Sequence, residues 1–260
     1  MEVHHHTHTE RKKWRHYFWE FLMLFLAVTL GFLVENQREH YVEHLRAKEY
    51  AKMLVEDLAA DTTEILDVIR EDKIVLSCFD SISATIQKGV KNKTVPGSFY
   101  YYCNIGTFSP TVVWNDATLI QITQTGSLRY FRNNQLIKTL SAYYSTSEFT
   151  TNLNDGDSRY RDESIKLRNR VLSNYFYSKY SSYSIIHWRE IPDSLMSVRL
   201  PIQNDDPMLL NEFANSFETR RRVVNLLLSR DYTVALKAAK ELIELLKKEY
   251  HLSERTPLEK

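Results

Sequence analysis

What the chain lacks narrows its chemistry first. It has only six glycines in 260 residues, at positions 31, 89, 97, 106, 126 and 156, and no two are closer than eight positions. That spacing excludes G-x-G-x-x-G, G-x-x-x-x-G-K-S/T and G-x-S-x-G, each of which needs two glycines within six positions. Two cysteines, Cys78 and Cys103, are too few for a Cys-rich zinc module or a disulfide framework. H-E-x-x-H is absent. Neither sign of charge is in excess: 34 Lys and Arg stand against 33 Asp and Glu, so no net basic field points to nucleic acid. The hydrophobic share, 43%, is enough to close a core.

What is present begins with a membrane signature. Residues 1–16 carry Arg11, Lys12, Lys13 and Arg15, and Trp14, Tyr17 and Trp19 follow as an interfacial belt would. The run Phe21–Val34 is free of charge. Counted from Tyr17, the segment is 18 residues with one acid, Glu20. At helical rise it is about 27 Å long, close to the thickness of a hydrocarbon core. After it comes Val34-Glu35-Asn36-Gln37-Arg38, with no small-residue cleavage site. The expectation is an uncleaved signal anchor over residues 17–35. Basic residues are packed before the span, whereas Glu35, Glu39, Glu43 and Glu49 are interleaved after it. This predicts a cytoplasmic tail (1–16), an inner-membrane span, and residues 36–252 outside the cytoplasm, in the periplasm of a Gram-negative cell. Residues 253–260 read as a flexible tail.

Within the span, Glu20, Ala27 and Gly31 fall within about 20° of one helix line, and Ala27-x-x-x-Gly31 is a small-xxx-small pair. They form either a helix–helix seam that shields the acid, or a snorkelling Glu20 beside ordinary membrane residues. The tail's His4, His5, His6 and His8 are weak metal-ligand candidates, with an acid-sensitive flexible tail as the plainer reading. No cofactor is implied.

The outer part reads as mainly α. From Asn36 to Lys88 there is no Gly or Pro, and Leu54, Leu58, Ile65, Ile69, Leu76, Phe79 and Ile86 recur at helical spacing. A bend near Glu71-Asp72 is expected, with an end at Lys88-Gly89. Residues 89–109 read as a connector with a short strand. Ser109-Pro110 reads as a cap opening a helix to Gln124, which Gly126 terminates. A third helical stretch runs from Asn134 to about Tyr180, with a break near Gly156. Ser181–Asp206 is a wrapping loop. Asp206-Pro207 caps a helix to about Ser229, and Tyr232 to about Tyr250 is the last helix. The sum is a transmembrane helix continuing into an extracytoplasmic bundle of four to six helices.

Candidate sites in the bundle are few. Arg129, Arg132 and Asn133 flank the Gly126 break and form a candidate ligand or partner site, since Arg clusters grip carboxylates and phosphates. Arg220-Arg221-Arg222 is a second cluster, and the plainer reading of both clusters is solvation or pairing with acids such as Glu148, Asp162 or Glu218. Cys78 and Cys103 form either one disulfide in an oxidising compartment or two buried thiols. His187, in a loop before Trp188, has no local nucleophile motif.

Three segments carry a resemblance. HHHTHTERKKW-x-HYFWEFLMLFLAV-x-x-GFL-x-ENQREH (residues 4–40), TGSLRYFRNN (125–134) and AKELIELLKKEYHL (239–252) resemble an uncharacterised family of single-pass membrane proteins of Gram-negative bacteria, a domain of unknown function. The resemblance implies that the His-rich start is native. It implies no activity and no catalytic residue. The expected function is therefore a non-enzymatic envelope protein that contacts the lipid bilayer and binds a protein partner or itself, not nucleic acid. A ligand-binding sensor domain signalling through a membrane partner is the alternative, and an unrecognised enzyme the third.

Overall fold

The structure, a computed structural model, describes residues 14–183 and 191–252. His4, His6, His8 and His187 lie outside the described residues. The chain is mainly helical, 81% helix and 3% strand. It divides at Tyr50/Ala51 into two compact units.

The first unit lies on α1, a helix of 74 residues from Trp14 to Gln87. Its opening stretch is long and apolar enough, by length and composition, to cross a membrane, and none of that window is buried. Trp14 stacks on Phe18 at 6.0 Å and Phe21 on Phe25 at 6.1 Å, ring on ring at helical spacing. Glu20, Ala27 and Gly31 are all exposed on this stretch, and a Cβ added to Gly31 meets nothing within 4 Å.

The second unit is built on three long rods: α1 from Ala51 onward, α4 (Asn134–Val171), and α7 (Pro207–Leu226) joined to α8 (Tyr232–Tyr250). Apart from Cys78, which is buried beside them, the buried residues of α1 from Ala51 onward are Ala51, Leu54, Leu58, Asp61, Ile65, Val68, Asp72, Val75, Phe79 and Ile82. Their spacing alternates three and four, the seam of a helix packed as in a left-handed coiled coil. Two of the ten positions are aspartates. Cross-links between rods give the directions. Tyr143 meets Asp61 and Asp157 neighbours Asp72, while Arg170 meets Glu212 and Asn133 meets Glu249. The α1 and α4 rods therefore run parallel, and α7–α8 runs antiparallel to both.

At Glu71-Asp72, where a bend is expected, helical bonding is not interrupted: Asp72 stays on the buried seam and α1 continues to Gln87. The expected break near Gly156 is also absent. Gly156 has open space around it, and its neighbours Asn154 and Asp157 are buried, so α4 passes through unbroken. Asp206 caps α7 as expected, its carboxylate accepting from the Met208 amide at 3.0 Å, with Pro207 at the first position.

Between α7 and α8, residues Leu227–Asp231 form a π turn. The buried stripe of α7 runs Phe213, Phe217, Arg220, Val224 and Leu227. Continued at the same spacing it would arrive at Asp231 and Val234. The stripe of α8 instead runs Tyr232, Ala235, Ala239, Leu242 and Leu246, one residue later. The wider turn absorbs that residue, and both stripes face the same core.

Smaller elements cap the bundle: β1 (Thr94–Pro96), α2 (Gly97–Gly106), α5 (Asn174–Tyr177), α6 (Asp193–Ser197) and β2 (Arg199–Pro201). β1 and β2 pair antiparallel, with Val95 opposite Leu200. The Tyr-rich run expected as a connector is the helix α2, with Phe99, Tyr100, Tyr101 and Cys103 buried. Gly97 opens it because no side chain fits there: a Cβ would lie 1.9 Å from the Leu195 carbonyl oxygen. Ser109-Pro110 does not open a helix, since the Ser109 hydroxyl is engaged with Asp157. α3 starts later, at Ala117, and runs to Gln124. Gly126 follows it in the left-handed region at φ 66° and leads into a 3-10 turn, Ser127–Tyr130.

Candidate functional site

The interior of the bundle is interrupted by two polar layers, each built on an aspartate of the α1 seam. In the first, Asp61 receives the Tyr143 hydroxyl at 2.5 Å, the Asn115 amide N–H at 2.8 Å and the Asn115 side-chain amide at 2.9 Å. Three donors satisfy one buried carboxylate. Trp114 packs edge-on against Tyr143 at 5.9 Å, so this layer pins the extended segment before α3 onto α1 and α4. Burial, together with the neighbouring carboxylate, pushes the Tyr143 hydroxyl well above its usual range.

The second layer holds the only arginine among the fully buried large side chains of the described residues, Arg220 on α7. Its Nε donates to Asp157 Oδ1 at 3.1 Å and its Nη2 to Asp157 Oδ2 at 2.8 Å, the two-pronged geometry that makes such pairs strong. Nη2 also donates to the Phe108 carbonyl at 2.9 Å, and Nη1 donates to the Gly106 carbonyl. The guanidinium lies 5.4 Å from the centre of the Phe79 ring, which tilts against Phe217, itself edge-on to Phe213. One side chain thus ties α7 to α4, α1 and the end of α2.

Asp72 sits beside this pair with no such partners. It is 2% exposed, and its Oδ2 has no hydrogen bond. Burial first, then the Asp157 carboxylate, raise its pKa to about 8, while Arg220 pulls the other way and Glu71 adds to the rise. At neutral pH Asp72 is therefore mostly a neutral acid. The Tyr232 hydroxyl, also pushed up by burial and then by Asp72, lies 3.5 Å from the Asn154 amide nitrogen. Asp231, in the π turn, is 3% exposed; its Oδ1 accepts from Arg230 Nε at 3.0 Å and its Oδ2 is unpartnered.

Asp231 also lines a shallow groove of about 400 Å³ with Ser145, Thr146, Phe149, Arg230 and Val234. The Arg230 guanidinium lies over the Phe149 ring at 5.2 Å. The groove is open and mostly apolar, on the α4/α8 side of the π turn.

The residues singled out from the sequence fall elsewhere. Asn133 caps α4, its side-chain oxygen accepting from the Gln135 and Leu136 amides at 3.0 and 3.2 Å, and its nitrogen donates to Glu249 at 3.1 Å. Arg129 lies over the Tyr130 ring at 5.3 Å, and Arg132 neighbours Tyr250. Arg221 pairs with Asp80 at 2.9 Å and Glu218 at 3.1 Å. Cys78 and Cys103 are separate, buried thiols. Burial pushes Cys78 up to about 12 and raises Cys103 well above the usual thiol range, so neither is a ready nucleophile or metal ligand. Among the described residues, no group of three or more His, Cys, Asp and Glu is placed to hold a metal ion.

Sequence reasoning passed over Asp61, Asp72 and Asp157 as site residues and named Arg220 only within an Arg cluster paired with other acids. A signal for them existed. Asp61 and Asp72 occupy two slots of an otherwise apolar three-and-four repeat, and Arg220 does the same on α7. A charge at such a slot is a buried charge. Scanned against protein-family models, curated proteins and solved structures, the chain matches none of them.

Proposed function

We propose that this protein is a non-enzymatic interaction protein of the cell envelope. Residues 17–35 anchor it in the inner membrane as an uncleaved signal anchor. Residues 36–252 lie outside the cytoplasm, in the periplasm of a Gram-negative cell, and bind a protein partner or a second copy of the chain. The observation that carries this reading is the exposed apolar stretch at the start of α1, on the same helix that supplies the bundle's Asp-bearing seam. The resemblance of residues 4–40 to single-pass membrane proteins supports it. So does the use of the buried charges Asp61, Asp157 and Arg220, which tie elements of the bundle together.

Crosslinking in native membranes followed by pull-down tests the reading. A discrete crosslinked protein or dimer is expected, and recovery of free monomer alone would overturn it. Orientation has its own check: a reporter fused after Lys260 that is active only in the cytoplasm reverses it. The membrane line Glu20–Ala27–Gly31 is the proposed seam for self-association. Unchanged oligomeric state in Glu20→Leu and Gly31→Leu would remove it.

The groove favours a second reading, a sensor-type ligand domain. It brings an aromatic ring, two hydroxyl residues and an Arg–Asp pair to the edge of the buried layer. A melting temperature of the detergent-solubilised chain that no small anion or sugar raises would count against that reading.

A further inference from the structure

We infer that the Asp72–Asp157–Arg220 layer is a proton-operated latch, in which a proton on Asp72 holds α7–α8 closed on α1 and α4 and its loss opens the bundle at the π turn. This goes beyond the interaction role and does not depend on it.

Asp72 is held among ionisable groups from every rod: Glu71 on its own helix, Asp157 from α4, Arg220 from α7 and Tyr232 at the start of α8. Asp231, in the π turn, reaches the same centre through Tyr232. Of these, Arg220 alone supplies positive charge, and four of its donor contacts already go to Asp157, Gly106 and Phe108. A second carboxylate at this depth has no cation to face. It is tolerated only while it carries a proton, because an unpaired buried charge is far more costly than a buried acid.

Geometry then selects where the strain goes. Asp72 Oδ2 and Asp231 Oδ2 are both buried and unpartnered, and the Tyr232 hydroxyl feels the charges of both. The π turn that carries Asp231 is the one stretch of the α7–α8 rod without regular α-helical bonding. A rod under electrostatic load parts first where its backbone is least regular. The groove at Ser145, Phe149 and Val234 lies against that turn, so water has a short way in.

The sign follows from the shift. The unfolded-like, hydrated carboxyl ionises near its ordinary value, 3.8, and the buried one near 8. Closure therefore takes up a proton between these values, and the closed form loses its advantage as pH rises through the upper one.

Hydrogen exchange of the full chain in detergent, followed from about pH 6 to about pH 9 and corrected for intrinsic exchange rates, tests the latch. Protection of the amides of residues 227–231 is expected to fall on the order of tenfold or more across that range. In Asp72→Asn, which keeps the shape and removes the titration, protection is expected to be flat. A wild-type chain with no pH dependence at the π turn overturns the proposal, as does an Asp72→Asn chain that keeps the wild-type midpoint. If Asp72→Asn does not fold, infrared spectroscopy of the wild-type chain decides. A protonated carboxylic-acid carbonyl band at neutral pH that disappears together with the exchange protection supports the latch, and its absence at neutral pH sinks it.

Discussion

At the residue scale, Arg220 and Asp157 show how a buried ion pair differs from a surface one. The solvent-facing pairs, such as Lys166–Glu163 at 3.3 Å, hold long mobile side chains in water and contribute little. Arg220–Asp157 is dry on both sides, with side chains 0% and 3% exposed. Breaking it leaves a charge without a partner. Arg220→Met or Asp157→Asn is expected to cost about 3–5 kcal/mol in urea unfolding followed by circular dichroism. The double variant Arg220→Met/Asp157→Leu is expected to recover much of that loss, since apolar replacements of similar volume can fill the layer. Additive losses would show that Arg220 acts mainly through the Gly106 and Phe108 carbonyls. Asp72 gives the opposite sign. Its folded pKa is raised, so the folded chain binds a proton that the unfolded chain releases, and this group lowers stability progressively from about pH 4 to about pH 8. Asp72→Asn is therefore expected to melt near wild type at the acid end and several degrees higher at the alkaline end. A melting difference constant across that range would mean that Asp72 does not titrate in the folded state.

At the element scale, the π turn is a one-residue insertion with a purpose: it brings the stripe of α8 back into phase with that of α7. Deleting Ser229 should convert the turn to ordinary helix and leave Ala235, Ala239, Leu242 and Leu246 facing the core. That variant is expected to melt at or above the wild-type temperature. Deleting Lys237 instead rotates every later residue by about 100° and turns Ala239 and Leu242 toward solvent. It is expected to lose cooperative melting by circular dichroism. Equal losses in the two deletions would remove the phasing argument. The same stripes explain what the sequence made legible. The long helices and the Asp206-Pro207 start were readable because one face is apolar and the other charged. α2 was not, because Phe99, Tyr100, Tyr101, Cys103 and Ile105 are buried around most of its circumference and leave no period to read. The late start of α3 was hidden for another reason. Ser109 has a long-range partner, Asp157, 48 residues away, and local capping rules do not see such a partner. The site residues were hidden by composition: a charge on a helix reads as surface until the register of its apolar neighbours is counted.

At the scale of the whole molecule, the unit from Ala51 onward owns its core. Val75, Phe79 and Ile82 of α1, Phe99 and Tyr100 of α2, Leu167 and Val171 of α4, and Phe213 and Phe217 of α7 belong to one buried cluster. Tyr100 adds a fastening, donating to the Pro201 carbonyl at 2.7 Å and accepting from the Ser173 amide at 3.1 Å. The rods α1, α4 and α7 and the capping elements meet there, so none of these can leave without exposing the others, which favours all-or-none unfolding. The stretch Trp14–Val34 takes no part in that cluster; most of its large apolar side chains are exposed. A fragment of residues 51–252 is therefore expected to be soluble without detergent, strongly helical, and to unfold in a single transition whose midpoint is the same by circular dichroism and by the fluorescence of its two tryptophans, Trp114 and Trp188. The full chain is expected to sediment with membranes and to need detergent for release. A fragment that stays unfolded would mean that residues before Ala51 are required for the core to form. One that unfolds in two steps would place the capping elements in a separate cooperative unit, and the Asp61 and Asp72 layers would then need to be assigned to different transitions.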